Sequence, residues 1–266
     1  HLHGVAPHER RAHRRARESS GQSDATTEAP RRRWIHGRGS RYPGWQPKEG
    51  DEAYDVKKED KELYAPKKGP SIVEVPPMSF VAVRGSGDPN EENGAYQRAI
   101  AILYAVSYTI KMSKKGTRRI DGYVDFVVPP LEGFWWQDGV EGADYAHKEA
   151  FHWIALIRLP DFVTREVFDW AVQEATQKKK VDCSIAEFLV VDEGLCVQCL
   201  HVGSYDSEPA TVEAMDAYAR EAGYELDLSE ARRHHEVYLS DARRVAPDKL
   251  KTIIRHPVKR RSAAAQ

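Results

Sequence analysis

Apolar and polar positions divide the chain into an opening stretch with almost no aliphatic residues and a remainder in which strand-like and helix-like patterns alternate. Ser71-Ile72-Val73-Glu74-Val75 alternates weakly and is broken by Pro76-Pro77. Phe80-Val81-Ala82-Val83 is a short apolar run that fits a buried strand. Dense turn chemistry follows at Gly85-Ser86-Gly87-Asp88-Pro89-Asn90. Over 94–112, Ala99, Leu103, Val106 and Ile110 recur at helical spacing, and Lys114-Lys115-Gly116 supplies the stop. Strand patterns return at 123–128, at Leu131–Trp136 and at 151–159. Thr164 is a good N-cap for a helix running to about Lys178. Residues 188–191 and 195–202 flank Asp192-Glu193-Gly194, which predicts a hairpin turn. A third helix over 211–222 ends at Gly223, and a last strand covers 236–239.

Two parts of this pattern share a layout. Phe80 to Asp88 and Gln198 to Asp206 each read as an apolar strand, then Gly-Ser-x-Asp, then a helix. After each helix comes a strand carrying a glutamate: Leu131-Glu132-Gly133-Phe134 in the first half and His235-Glu236-Val237-Tyr238 in the second. The expected fold is α+β, a tandem duplication of β-α-β-β modules with a ligand cleft between the halves, where concave sites tend to form.

Composition adds organisation. Lys+Arg is 40 and Asp+Glu 41, a net charge of -1 over 266 residues. Residues 1–50 hold eleven Lys/Arg against five Asp/Glu, a net of +6, so residues 51–266 carry -7. With Leu2, Val5 and Ile35 as its only aliphatic residues besides alanine, the segment 1–50 is expected to be a disordered basic tail. Residues 51–70 read as a charged lead-in, 71–258 as the folded domain and 259–266 as a second disordered tail. The near-neutral total gives no global argument for nucleic acid, and only the basic tail could touch phosphates. No run approaches a membrane span, and His1 in place of Met reads as the start of a fragment. Three cysteines, with no leader pattern ahead of them, fit a reducing, cytoplasmic setting.

Two tempting motifs fail on geometry. Gly85-Ser86-Gly87 lacks the third glycine of a dinucleotide fingerprint, which falls at Asn90. Cys196 and Cys199 lie an odd number apart on one strand and point to opposite faces, so with His201 and Cys183 they form no shared metal site. No metal and no cofactor is expected.

Several blocks in order carry a resemblance. Pro77-Met78-Ser79-Phe80, Gly85 to Asn90, Tyr108-Thr109-Ile110-Lys111-Met112, Leu131 to Trp136, Pro160-Asp161-Phe162-Val163, His234 to Asp241 and Lys249-Leu250-Lys251-Thr252 together resemble the GyrI-like small-molecule-binding proteins over about 54–258. The resemblance implies paired modules with a cleft that takes flat aromatic or cationic small molecules, using a central glutamate and aromatic walls. It also implies kinship with stand-alone hydrolases that open the cyclopropane ring of DNA-alkylating antibiotics, a xenobiotic-resistance activity. The alternatives are a non-catalytic drug-sequestering or effector-sensing module, and a partner-binding protein acting on a DNA enzyme such as gyrase.

Strand alternation places Glu132, Phe134 and Trp136 on one face with Trp135 on the other, and Glu236 and Tyr238 on a face with His234. If those faces line the cleft, two carboxylates and three rings converge there. Glu236 is the candidate base and Tyr238 a cage wall or hydrogen-bond donor, with Glu132, Phe134, Trp136 and Tyr108 as substrate-binding candidates. Trp135, Trp153 and Trp170 are expected in the core.

Overall fold

A computed structural model describes residues 53–262. The expectations for 1–50 lie outside the described residues. Strands β1 (Ser71–Val75), β2 (Met78–Ser86), β3 (Leu131–Trp136), β4 (His152–Arg158), β5 (Glu187–Val191), β6 (Gly194–Val202), β7 (Tyr224–Leu226), β8 (His234–Tyr238) and β9 (Lys251–Arg260) form an antiparallel sheet in the order β1-β6-β9-β8-β3-β4-β2-β5, with β7 on the far end of β9. Helices α1 (Val56–Glu59) and α2 (Lys61–Tyr64) precede the sheet, α3 (Ala95–Met112) follows β2, α4 (Arg165–Lys179) follows β4, and α5 (Glu208–Glu221) follows β6.

The duplication is visible in this order. β2-α3-β3-β4 and β6-α5-β8-β9 are two β-α-β-β modules, joined where β3 pairs with β8 at the centre of the sheet. The long apolar stripe of α3, the Thr164 cap of α4 and the Gly223 stop act as their chemistry demands; the Thr164 hydroxyl accepts from Val167 N at 3.2 Å.

The predicted hairpin at Asp192-Glu193-Gly194 does not form. β5 pairs with β2 and β6 pairs with β1 in a single register, Met78↔Val191 continuing Val75↔Gly194. β1–β2 and β5–β6 are thus two long strands running alongside each other, interrupted at Pro76-Pro77 and Asp192-Glu193. Proline cannot donate to a ladder, which explains the break. Each strand serves one module at one end and the other module at the other, so the ribbon ties the two edges of the sheet together.

The sheet has two differently built faces. On the helix face, Val81, Val83, Trp153, Ala155 and Ile157 pack under α3 and α4, while Val197, Cys199 and Ile254 pack under α5 with Met215. The opposite face carries Phe80, Leu156, Phe134, Val237 and Ile253, covered by Val56, Leu63 and Tyr64 of the N-terminal segment. Residues 51–70 are therefore more than a lead-in: Tyr64 is 1% exposed, and the folded part begins before Ser71. β9 likewise runs on to Arg260 past the expected end at 258, its pairing to β8 stopping at Arg255, before Pro257 would need a donor. The strand expected at 123–128 is absent; that segment makes one bridge, Tyr54↔Phe126, with Tyr54 N donating to Asp125 O and Val127 N to Tyr54 O, both at 2.8 Å. No helix among the described residues is long and apolar enough to cross a membrane.

Candidate functional site

A cleft of about 1780 Å³ opens on the helix face between α3 and α5, with β3 and β8 as its floor. Its place follows from the duplication: each module covers its own strands with its own helix, and the strands at the join are left open. Antiparallel register decides what the floor presents. β3 pairs with β8 as Leu131↔Tyr238, Gly133↔Glu236 and Trp135↔His234. Odd positions of β3 therefore share a face with even positions of β8.

Glu236, Tyr238 and His234 face the cleft together with Trp135. Glu132 and Phe134 do not. Both are even-numbered on β3, so they point to the opposite face. Glu132 is fully buried there, accepting from Tyr64 OH at 2.9 Å and lying 2.8 Å from His235 Nε2, and Phe134 sits 4.3 Å from the His235 ring. The expected convergence of two repeated glutamates is thus corrected by a single parity: residues matched by motif are one position out of step in the pairing. Trp136 reaches the cleft edge, but its ring is stacked on His152 at 5.5 Å and covered by Arg233 at 4.4 Å. Tyr108 stands at the rim, 44% exposed. Trp135, expected in the core, packs against the helix-face core and is also the central floor aromatic.

The floor is held by hydrogen bonds. Trp135 Nε1 donates to Tyr238 OH at 2.8 Å, and Tyr238 OH donates to Glu236 Oε2 at 2.6 Å. Glu236 Oε1 lies 2.8 Å from His234 Nε2. Gly133 makes this possible: a Cβ there would lie 2.6 Å from Trp135 Nε1 and 3.2 Å from Tyr238 OH, so only hydrogen leaves room for the indole to cross to the phenol. The walls are aromatic, with Tyr96 5.1 Å from Trp135 by ring centroid, Phe151 at 5.7 Å on its edge, and Tyr205 edge-on to Tyr238 at 5.9 Å.

The second carboxyl of the cleft is Glu208, the first residue of α5 and 1% exposed. It packs against Glu236, and two carboxylates so close cannot both ionise. Burial first, then the neighbouring Glu236 charge, pushes Glu208 up to about 10. Burial opposes the ionisation of Glu236 too, but the hydrogen bond and charge of His234, the Tyr238 hydroxyl and Glu208 outweigh it and hold Glu236 below the usual carboxylate range. The pair is split into a neutral acid and an ionised base. Burial and then Glu236 raise Tyr238 well above the usual phenol value, so it stays a neutral donor whose proton is engaged by Glu236. The sequence pattern gives no sign of Glu208, which precedes the helix expected over 211–222 and sits beside Pro209, although the helix in fact begins there. Only the fold buries it.

Among the described residues, one set has donor atoms within 4.8 Å of one another, Glu208, His234 and Glu236. His234 Nε2 and both Glu236 oxygens are already engaged inside the protein, so the set is arranged as a hydrogen-bonded network. Glu208 Oε1 alone is buried with no partner, at the cleft.

A family model described as the GyrI-like small molecule binding domain matches residues 69–259. Two structures described as hydrolases from Listeria innocua are each 47% identical, one covering 77% of this chain and 100% of its own at a TM-score of 0.71, the other 78% and 100% at 0.73. An uncharacterized conserved protein from the same organism is 48% identical over 77% of this chain and 100% of its own, with a TM-score of 0.72. No match was found among curated proteins.

Proposed function

The chain belongs to the GyrI-like small-molecule-binding family, and we propose that it hydrolyses the cyclopropane ring of DNA-alkylating cyclopropanoid compounds, a xenobiotic-resistance activity. The observation that carries this reading is the pair of buried carboxyls, Glu236 and Glu208, packed together on the floor of an aromatic-walled cleft, an arrangement that favours one ionised and one neutral member. The hydrolase descriptions of the Listeria structures support the reaction class.

The chemistry needs a base, an acid and a flat platform. A cyclopropane fused to a dienone opens when water attacks a ring carbon, the ring C–C bond breaks, and its electron pair flows into the dienone to make a phenol. Glu236 takes a proton from the attacking water. Glu208 gives its proton to the carbonyl oxygen that becomes the phenol hydroxyl. The sum is one water added across one C–C bond, and the proton gained by Glu236 restores Glu208 through the contact between them. General-base assistance of this kind is worth about 10²–10⁴ in rate. Trp135, Tyr96 and Tyr238 would hold the ring system near its attack geometry, with Tyr108 and Trp136 at the edge. Since Tyr238 already donates to Glu236, its place in this scheme is to orient the base and wall the site.

The second reading is a binding module without chemistry, favoured by the size of the aromatic-walled cleft. Incubating the protein with a cyclopropane-bearing alkylator in limiting amounts of protein and following the water adduct by mass spectrometry separates the two. Many adducts per protein support hydrolysis. Stoichiometric protection with no adduct leaves only the binder.

A further inference from the structure

From Glu236 the hydrogen bonds continue along the cleft wall toward α5. His234 Nδ1 lies 2.8 Å from His256 Nε2, and His256 Nδ1 lies 2.8 Å from Asp216 Oδ1 on α5. The His256 side chain is 6% exposed and that of Asp216 13%, so the chain links the cleft floor to the inner side of α5. We propose that Asp216, His256 and His234 form a hydrogen-bond relay of fixed polarity that keeps a proton on His234 Nε2 against Glu236, and so determines that Glu236 is the base and Glu208 the acid of the cleft.

The polarity follows from counting donors. A carboxylate only accepts, so His256 must donate to Asp216 from Nδ1. A neutral imidazole has one N–H, which leaves His256 Nε2 as an acceptor. His234 must then donate from Nδ1 to His256. Its other nitrogen, Nε2, faces a carboxylate oxygen of Glu236, and two acceptors do not meet at 2.8 Å. One further proton therefore sits between His234 and Glu236. Burial, then the charge of His234, lowers His256 against the opposing pull of Asp216, which suits the neutral ring the count requires. Glu236 already accepts from the Tyr238 hydroxyl on its other oxygen at 2.6 Å, an arrangement that suits a carboxylate and leaves the shared proton on the His234 side.

The charges facing this pair come from every side. Glu208 and Asp206 approach from α5 and the turn before it, and the phenols of Tyr96, Tyr145 and Tyr205 from the walls. Cations that line the cleft are engaged elsewhere: Lys148 Nζ lies 3.3 Å from Asp206, Arg243 pairs with Asp241 at 2.9 Å, and the Arg233 guanidinium lies over Trp136. His234 is the positive partner of Glu236, and Asp216 is what sets its orientation through His256. His234, His256 and Asp216 are positioning residues: they act through Glu236. In Ser-His-Asp systems, losing the carboxylate that fixes an imidazole tautomer costs up to about 10⁴ in rate.

The proposal rests on the split-pair reading of the cleft but is tested without any substrate. Multiple-bond ¹⁵N–¹H spectra of the full chain labelled at histidine read the protonation of each ring nitrogen at pH 7. The expected pattern is His256 protonated on Nδ1 only and His234 protonated on both nitrogens, with Asp216→Asn bringing a neutral form of His234 into view. A His256 ring protonated on Nε2, or a His234 ring neutral in the wild-type protein, overturns the relay. Asp216→Asn is also expected to lower cyclopropane hydrolysis by about tenfold or more. The expected spectra without hydrolysis in the wild-type protein would sink the hydrolase reading and leave the relay standing; hydrolysis with the contrary spectra would do the reverse.

Discussion

Replacing His235 by Leu tests how the face opposite the cleft is held. His235 is fully buried and lies between two carboxylates, Nε2 2.8 Å from Glu132 and Nδ1 2.9 Å from Glu193. Arg255 completes the cluster, 3.8 Å from Glu193, donating from Nε to Gln198 at 3.1 Å and from Nη2 to the Leu63 carbonyl. Burial disfavours the imidazolium, but the two glutamates outweigh it and raise His235 from 6.5 to about 9. A folded-state pKa above the unfolded one means the stabilisation is complete below about pH 6.5 and is lost as the pH rises through 9. A shift of that size corresponds to about 3 kcal/mol. Removing one partner of a buried ion pair costs about 3–5 kcal/mol, because the other charge is stranded. The two estimates agree. Urea unfolding followed by tryptophan fluorescence at pH 6 is expected to show His235→Leu losing that amount, a midpoint shift of roughly 1–2 M. The gap to wild type should narrow by pH 9.5. A variant too unstable to fold leaves the wild-type series, which should itself weaken between pH 6.5 and 9. A wild-type midpoint flat across that window, or a variant within about 1 kcal/mol at pH 6, would refute the assignment.

Other expectations concern the cleft. Glu208→Gln keeps the size of the side chain but removes the transferable proton, and should lower hydrolysis by about 10²–10⁴ while leaving binding of the flat substrate within a few-fold, as measured by fluorescence titration. Gly133→Ala places a carbon 2.6 Å from Trp135 Nε1, so the indole must move off Tyr238; a changed tryptophan emission and at least about tenfold weaker ligand binding should accompany it, and an unchanged spectrum would contradict the packing of the floor.

Much of the fold was legible because its signals are local. The stripe of α3, the Thr164 cap and the repeated strand-turn-helix layout each follow from neighbouring residues. What escaped depends on pairing between distant segments. No pattern within 187–202 says that β5 and β6 pair with β2 and β1 instead of with each other. Tyr64 looked like part of a charged lead-in because its burial is created by a sheet folded from later residues. The site divides in the same way. Glu236, His234 and Tyr238 share a face by simple alternation, as expected. Whether Glu132 joins them depends on one unit of register between β3 and β8, and that register sends it to the opposite face. Glu208 was hidden because it falls before the helix expected over 211–222; its role comes from being pressed against Glu236.

The most direct test of the central claim, that an ionised Glu236 activates water in an aromatic cleft, is the number of water adducts formed per protein from a cyclopropane-bearing alkylator by wild type and by Glu236→Gln. Many adducts from the wild type, with a variant slower by about 10²–10⁴ that still binds the compound, is the predicted result. Equal rates in the two proteins would contradict it.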